Sequence, residues 1–295
     1  MGKDLATAEP AAAAVFRSAD DALGFGLSGL CFEGPETDLV RTEITQPAIL
    51  TVAIAAFRAF EARGGRPPVA AAGHSLGEYA AHVAAKTLSF EDAVRVVRER
   101  GRFMQEAVPE GEGAMAAILG LDLPAVTRVC AQAEGGEVVS CATANGPGQI
   151  VIAGHAAAVK RACEAALAAG ASRAIPLQVS APFHCALMEP AARRLSVVLA
   201  SATFCDPSIP VYTNVDAAPV ATAAASRDAL VRQVVSSVRW EEEILRMAKD
   251  GIDTFVEFGP GRVLAGLVRR IRKDLRVFSV SDAAGLTATL QALQS

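Results

Sequence analysis

The sequence predicts an α/β fold in two parts: a large unit with a mostly parallel sheet, and a small β-α-β-β-α-β unit inserted into it. Three observations lead there. A short apolar run at 69–72 passes directly into Gly73-His74-Ser75-Leu76-Gly77 and then into helix-forming residues, the strand, sharp turn and helix of an α/β sheet. Near Gly113 the helical rhythm of the first third gives way to short apolar strands alternating with helices. Past residue 178, helices and short strands resume and run to the end.

Taken in order, Thr45 reads as an N-cap with Pro47 near the first helical turn, where a missing N–H costs nothing, ahead of an alanine-rich helix over 48–62. A strand at 69–72 leads into the glycine-flanked turn, followed by a helix over 78–85 and another capped by Ser89 that runs to about 107. Residues 114–119 read as a strand, 124–133 as a helix, and 138–143 and 149–153 as strands around Asn145-Gly146-Pro147-Gly148. A helix over 156–169, closed by Gly170, and a strand at 173–177 complete the β-α-β-β-α-β, ferredoxin-like order. A last strand, 254–257, precedes Gly259-Pro260-Gly261. The expected domains are therefore 1–112 with 179–295 for the large unit and 113–178 for the small one.

At 295 residues and 52% apolar, the chain can bury a substantial core, which excludes global disorder. Its 28 basic and 32 acidic residues give a net charge of −4, without the basic footprint of a nucleic-acid binder. The six cysteines are scattered, with no C-x-x-C pair and no histidine at metal spacing, so neither a zinc site nor a disulfide framework is expected. No apolar run approaches the ~20 residues of a membrane span, and the first residues lack the pattern of a signal peptide. A soluble, cytoplasmic protein without metal or cofactor is the expectation.

Gly73-His74-Ser75-Leu76-Gly77 fits G-x-S-x-G between a strand and a helix, the setting that exposes a nucleophilic serine. Both glycines are expected to be required, because a side chain at either would collide with backbone. The Leu76 N–H and the following helix N-terminus are placed to stabilise a tetrahedral oxyanion. The serine needs a base, and four histidines exist: His74, His82, His155 and His184. The His74 side chain should diverge from its neighbour. His82 suits a helix face and His155 a helix start, while His184 lies where the small unit returns to the large one, a usual place for a cleft. The residues alone leave the choice open, with His184 slightly ahead.

Several segments together resemble a known family. G-H-S-L-G-E-Y-A at 73–80, R-G-R-F-M-Q-E-A-V-P at 100–109, N-G-P-G-Q at 145–149, P-F-H-C-A-L-M at 182–188 and V-E-F-G-P-G at 256–261 look like malonyl-CoA:acyl carrier protein transacylases, in order along nearly the whole chain. The resemblance implies an α/β-hydrolase-like domain paired with a ferredoxin-like one. It implies Ser75 as nucleophile and His184 as its base, with the main-chain carbonyl of Gln233 in place of a triad acid. It implies that Arg100 binds the malonyl carboxylate, a role suited to a planar fork of donors. A solvated arginine is the other reading, since Arg95, Arg98 and Arg102 share its helix. His74, Asn145 and Phe183 join the implied substrate contacts, and Met104 either lines the same pocket or is an ordinary core residue. The implied partners are a coenzyme A thioester and acyl carrier protein, with no nucleic acid or membrane, and the protein itself a monomer. The cluster Arg269, Arg270, Arg272 and Lys273 reads either as a docking patch for an acidic carrier or as a solvated helix face.

Members of that family begin with a strand ending in G-Q-G-S-Q, and this sequence starts with the residues that follow it, Met1-Gly2-Lys3-Asp4-Leu5. The first strand and the second oxyanion N–H are then expected to be missing, at a cost on the order of 100- to 1000-fold in rate and with unpaired ladder edges. Ala181, Cys185 and Ser237 replace residues common in the family without removing a catalytic group. Two rivals remain on this reading: a serine esterase or thioesterase, which needs an acid behind His184 and no Arg100, and an inactive remnant that still binds carrier protein.

Overall fold

The computed structural model describes residues 1–179 and 181–294. The chain opens with helices α1 (Lys3–Ala8), α2 (Pro10–Leu23), α3 (Leu27–Glu33) and α4 (Glu36–Leu39), which wrap the long α5 (Thr42–Ala62). Helix α5 starts earlier than the sequence suggests. The Thr45 hydroxyl donates to the Arg41 carbonyl at 3.0 Å instead of capping, and Pro47 lies inside the helix. The fourth residue beyond the proline, Thr51, donates its hydroxyl to the Pro47 carbonyl at 2.7 Å. Contrary to the expectation from apolar runs, α5 is long and apolar enough to cross a membrane, but 78% of that window is buried inside the protein. It is the central core helix, packed on α2 and on a later helix, α7.

The expected strand at 69–72 is only a single parallel bridge, Ala71 to Val211, with the Tyr212 N–H donating to the Ala71 carbonyl at 2.9 Å. Helix α6 (Gly77–Ala84) and α7 (Phe90–Glu106) follow, and the Ser89 hydroxyl caps α7 by accepting from the Asp92 N–H at 3.0 Å. The next elements are β1 (Gly113–Leu119), α8 (Leu123–Ala133), β2 (Val139–Gly146), β3 (Gln149–His155), α9 (Ala156–Ala168) and β4 (Arg173–Pro176). They form a four-stranded sheet ordered β2-β3-β1-β4, antiparallel at every pairing, with α8 and α9 burying its apolar residues in a core of its own.

A short 3-10 turn (Ala186–Met188), α10 (Glu189–Ser201), β5 (Val211–Thr213), β6 (Ala218–Val220), α11 (Ala223–Gln233) and α12 (Trp240–Lys249) return to the larger part. β7 (Thr254–Phe258), α13 (Val263–Ile271), β8 (Arg276–Val280) and α14 (Ala283–Gln294) complete it. The mostly parallel sheet expected from the strand–turn–helix pattern is not what pairs. β5–β6 is an antiparallel hairpin, and β7–β8 is the one parallel ladder among the described residues. β5 and β6 are joined by a tight turn and so pair antiparallel, whereas β7 and β8 are joined through α13 and so run parallel. The two parts meet at the site. β2 bonds to the main chain of Val238 through the Ala144 N–H and the Ala142 carbonyl, each at 2.9 Å. A Cβ on Gly113 would stand 2.4 Å from the Pro182 ring, so entry to and exit from the small unit press together.

Candidate active site

Ser75 is held in the left-handed region, at φ 52, directly before α6. Such a conformation is unfavourable for a side chain and is kept only by its surroundings. Gly73 is indispensable to the turn, since a Cβ there would lie 2.0 Å from the Gly77 carbonyl oxygen. Gly77 is not: no atom lies within 4 Å of a Cβ built on it, which corrects the expectation that both glycines are required. Leu76, the residue after the serine, is the N-cap position of α6.

His184 approaches from the segment after the small unit, also with positive φ, at 60. Its Nδ1 lies 2.9 Å from the main-chain carbonyl of Gln233, the last residue of α11, and its Nε2 lies 2.7 Å from Ser75 Oγ. A carbonyl can only accept, so Nδ1 carries the proton and Nε2 is left to accept from the serine hydroxyl. Burial, reinforced by the nearby Arg100 guanidinium, pushes the His184 pKa down to about 3, so the imidazole is neutral throughout the physiological range.

Arg100, on α7, is 2% exposed. Its Nη1 donates to Gln46 Oε1 at 2.7 Å, and its Nη2 donates to Gln233 Oε1 at 2.9 Å and to Ser75 Oγ at 3.1 Å. The two side-chain amides that orient it are neutral, and its Nε has no partner among the described residues. The solvated-arginine reading is therefore excluded. A buried guanidinium with spare donors beside the Ser75 hydroxyl has the chemistry to pair with a carboxylate. Met104, one turn later, is buried and its sulfur accepts from Gln46 Nε2 at 3.9 Å, so it packs behind the arginine clamp. Phe183 bridges the large core and the junction core. His74 does turn away from the serine. Its Nε2 donates to Asn145 Oδ1 at 2.8 Å, its ring stands edge-on to Trp240, and burial lowers its pKa.

The other two histidines stay out of the site. His82 is fully buried without a hydrogen-bond partner among the described residues, and His155 Nδ1 accepts the Val138 N–H at 2.9 Å inside the small unit. The basic cluster is largely engaged within the protein: Arg269 holds the Val277 carbonyl, Arg270 holds Gln149 and Arg272 pairs with Asp274.

The acyl transferase domain family matches residues 1–288. The malonyl CoA-acyl carrier protein transacylase of Escherichia coli K12 is 48% identical over 291 residues, covering 99% of this chain and 94% of that protein. That of Bacillus subtilis 168 is 48% identical over 295 residues, covering 100% and 93%. This chain belongs to the malonyl CoA-acyl carrier protein transacylase family. The solved transacylase of Coxiella burnetii superposes with a TM-score of 0.98 at 42% identity, covering 100% of this chain and 93% of that one. A malonyl-transacylase in complex with a type II polyketide acyl carrier protein superposes at 0.96 with 48% identity, covering 99% and 94%.

Four buried residues that lie in or behind this transacylase-family site have no role assigned by the sequence motifs. Gln46 is an amide inside the apolar helix α5, and its position in such a run was the available signal. Glu78, in the helix after the nucleophile, and Glu243, on α12, are fully buried carboxyls behind the turn. Burial raises both pKa values, that of Glu78 to about 7. Asn214, directly after β5, is fully buried and bonds to the main chain of both Gly73 and Ser75. Nothing local in the sequence marks it.

Proposed function

We propose that the protein is an [acyl-carrier-protein] S-malonyltransferase that moves malonyl from coenzyme A to the phosphopantetheine thiol of acyl carrier protein through a malonyl-Ser75 intermediate. The observation that carries this reading is the buried Arg100 guanidinium, whose Nη2 lies 3.1 Å from Ser75 Oγ and whose anchoring side chains are uncharged amides. A carboxylate one carbon from the reacting carbonyl would find its counter-charge there.

In the first half-reaction Ser75 Oγ attacks the thioester carbon and its proton passes to His184 Nε2. The Leu76 N–H and the α6 N-terminus receive the developing oxyanion. The C–S bond breaks, His184 returns the proton to the coenzyme A sulfur, and the free thiol leaves. The carrier thiol then gives its proton to His184 and attacks the serine ester, and Ser75 regains the proton: a ping-pong exchange. Gln233 fixes the tautomer through its main-chain carbonyl, while His74, Asn145, Phe183 and Met104 shape the acyl and thioester pocket. The chemistry uses no metal or redox cofactor. The esterase alternative is disfavoured because His184 Nδ1 faces a carbonyl, not a carboxylate. We assign residues 1–112 and 179–295 to an α/β-hydrolase-like domain and 113–178 to a ferredoxin-like one, acting as a cytoplasmic monomer.

The test is intact-protein mass after mixing with malonyl-CoA, followed by peptide mapping. One malonyl group on Ser75, discharged faster by holo carrier protein than by water, is the expected result. An adduct that persists in Ser75→Ala refutes the assignment.

A further inference from the structure

The geometry points to Asn214 as a positioning residue that clamps the nucleophile turn, held in its working orientation by a protonated Glu243. This rests on Ser75 being the nucleophile. The Asn214 Oδ1 accepts the Ser75 N–H at 2.6 Å and its Nδ2 donates to the Gly73 carbonyl at 2.8 Å. One planar amide thus ties both ends of a three-residue turn whose last member is at φ 52. The task needs an acceptor at one end and a donor at the other, which a carboxylate cannot supply and an amide can.

Asn214 is itself fixed from three sides. Its Nδ2 also donates to Glu243 Oε2 at 2.9 Å, its main-chain N–H donates to Glu78 Oε2 at 3.0 Å, and its Oδ1 accepts from Gln233 Nε2 at 3.2 Å. Two fully buried carboxyls from different helices therefore bear on one residue, and each leaves Oε1 without a partner among the described residues. His82 stands 4.0 Å from Glu78 Oε1, but burial pushes its pKa down to about 4, so it brings no charge at neutral pH, and the cation that lowers the Glu78 pKa through space is Arg100. Two like charges cannot both persist in that setting. Glu78 Oε2 receives two donors, from Asn214 and from Gln233 Nε2 at 2.8 Å, whereas Glu243 receives one. Glu78 is the better-supported anion, which makes Glu243 the acid.

The experiment compares Asn214→Ala, Asn214→Asp and Glu243→Gln with the unaltered chain, reading the rate of Ser75 acylation at saturating malonyl-CoA, the half-saturating concentration, and folding by circular dichroism. Asn214→Ala is expected to lose about 100-fold in rate through misplacement of the serine, with half-saturation moved by less than about threefold. Asn214→Asp is expected to be equally slow at pH 8 and to recover at least about tenfold toward pH 6. There the new carboxyl gains a proton and again offers both an acceptor and a donor. The groups facing it are Glu78 and His82 from α6, Glu243 from α12, Arg100 from α7, Asp216 after β5, and His184, which is neutral over that range. Glu243→Gln reproduces the protonated acid and is expected to keep the unaltered rate.

Acylation by Asn214→Ala at the unaltered rate, an Asn214→Asp profile that follows the parent, or a Glu243→Gln as slow as Asn214→Ala would each overturn the role. If Asn214→Ala does not fold, the other two variants decide. A parent chain that forms no Ser75 adduct instead refutes the transferase reading on which the role rests.

Discussion

Arg100 is a full positive charge at 2% exposure, held by two uncharged amide anchors, Gln46 and Gln233, with Glu78 the carboxyl that acts on it through space. Its replacement by alanine should cost malonyl loading on the order of 100-fold, the worth of a charge-assisted pair beside the reacting atoms, while acetyl loading is spared. Equal losses for both acyl groups, measured by intact mass with each thioester, would dismiss the carboxylate role. Gln46→Glu tests the same idea from the other side. A carboxylate placed 2.7 Å from Nη1 would neutralise the guanidinium, so the malonyl-over-acetyl preference should fall by at least about tenfold in a competition assay. The amide of Gln46 within an apolar run is a signal, but it does not say what the amide holds, because a lone amide in an apolar helix is compatible with many uses. The fork it holds comes from another helix, 54 positions away.

At the scale of elements, local signals served well wherever they were self-contained. The Ser89 cap defines the start of α7, and Gly170 the end of α9, because each acts on groups within a few residues of itself. Helix α5 begins ahead of Thr45 because Thr45 spends its hydroxyl on a preceding carbonyl instead of capping, a choice that the sequence does not encode. The glycine-flanked turn gives a sharp contrast. Gly73→Ala forces a Cβ to within 2.0 Å of backbone and should abolish acylation and lower the melting temperature. Gly77→Ala has open space around the new Cβ and should leave melting within about 1 kcal/mol of the parent, with the alanine favouring the helix. Equal damage from both would contradict the steric account. Ser89→Ala should cost about 1 kcal/mol in denaturant unfolding through the lost cap.

For the whole molecule, the buried histidines link stability to pH. His184 and His82 have folded pKa values of about 3 and about 4, below the ordinary 6.5. These two residues therefore bind more protons in the unfolded chain between those values and 6.5, and their contribution to stability is lost as pH drops through that window. Glu78, raised from 4.5 to about 7, acts in the opposite sense, favouring the folded state at low pH and losing that contribution as pH rises toward 7. Glu243, which burial raises well above its ordinary 4.5, acts in the same sense as Glu78. His82 touches no substrate residue and has no hydrogen-bond partner among the described residues, so His82→Leu should flatten the acid limb, retaining on the order of 2–3 kcal/mol at pH 4 that the parent loses. Chemical denaturation at pH 7 and pH 4 measures this directly, and an unchanged difference between the two pH values would remove His82 from the account.

By itself, the sequence determined the glycine-flanked turn at Ser75, the order of strands and helices in the 113–178 segment, the approximate bounds of the helices within 78–169, and the family. These follow from caps, periodicity and motif residues that act over a few positions or recur in fixed order. Tertiary structure brings His184, which the family resemblance implied and the residues alone left open, against Ser75 across 109 residues, and it buries Arg100. It also decided the mostly antiparallel pairing, and the gathering of Gln46, Asn214, Glu78 and Glu243 around the site. The physical reason is that burial, partner and charge state depend on segments that only packing brings together, and a side chain's chemistry follows from those neighbours rather than from its place in the chain.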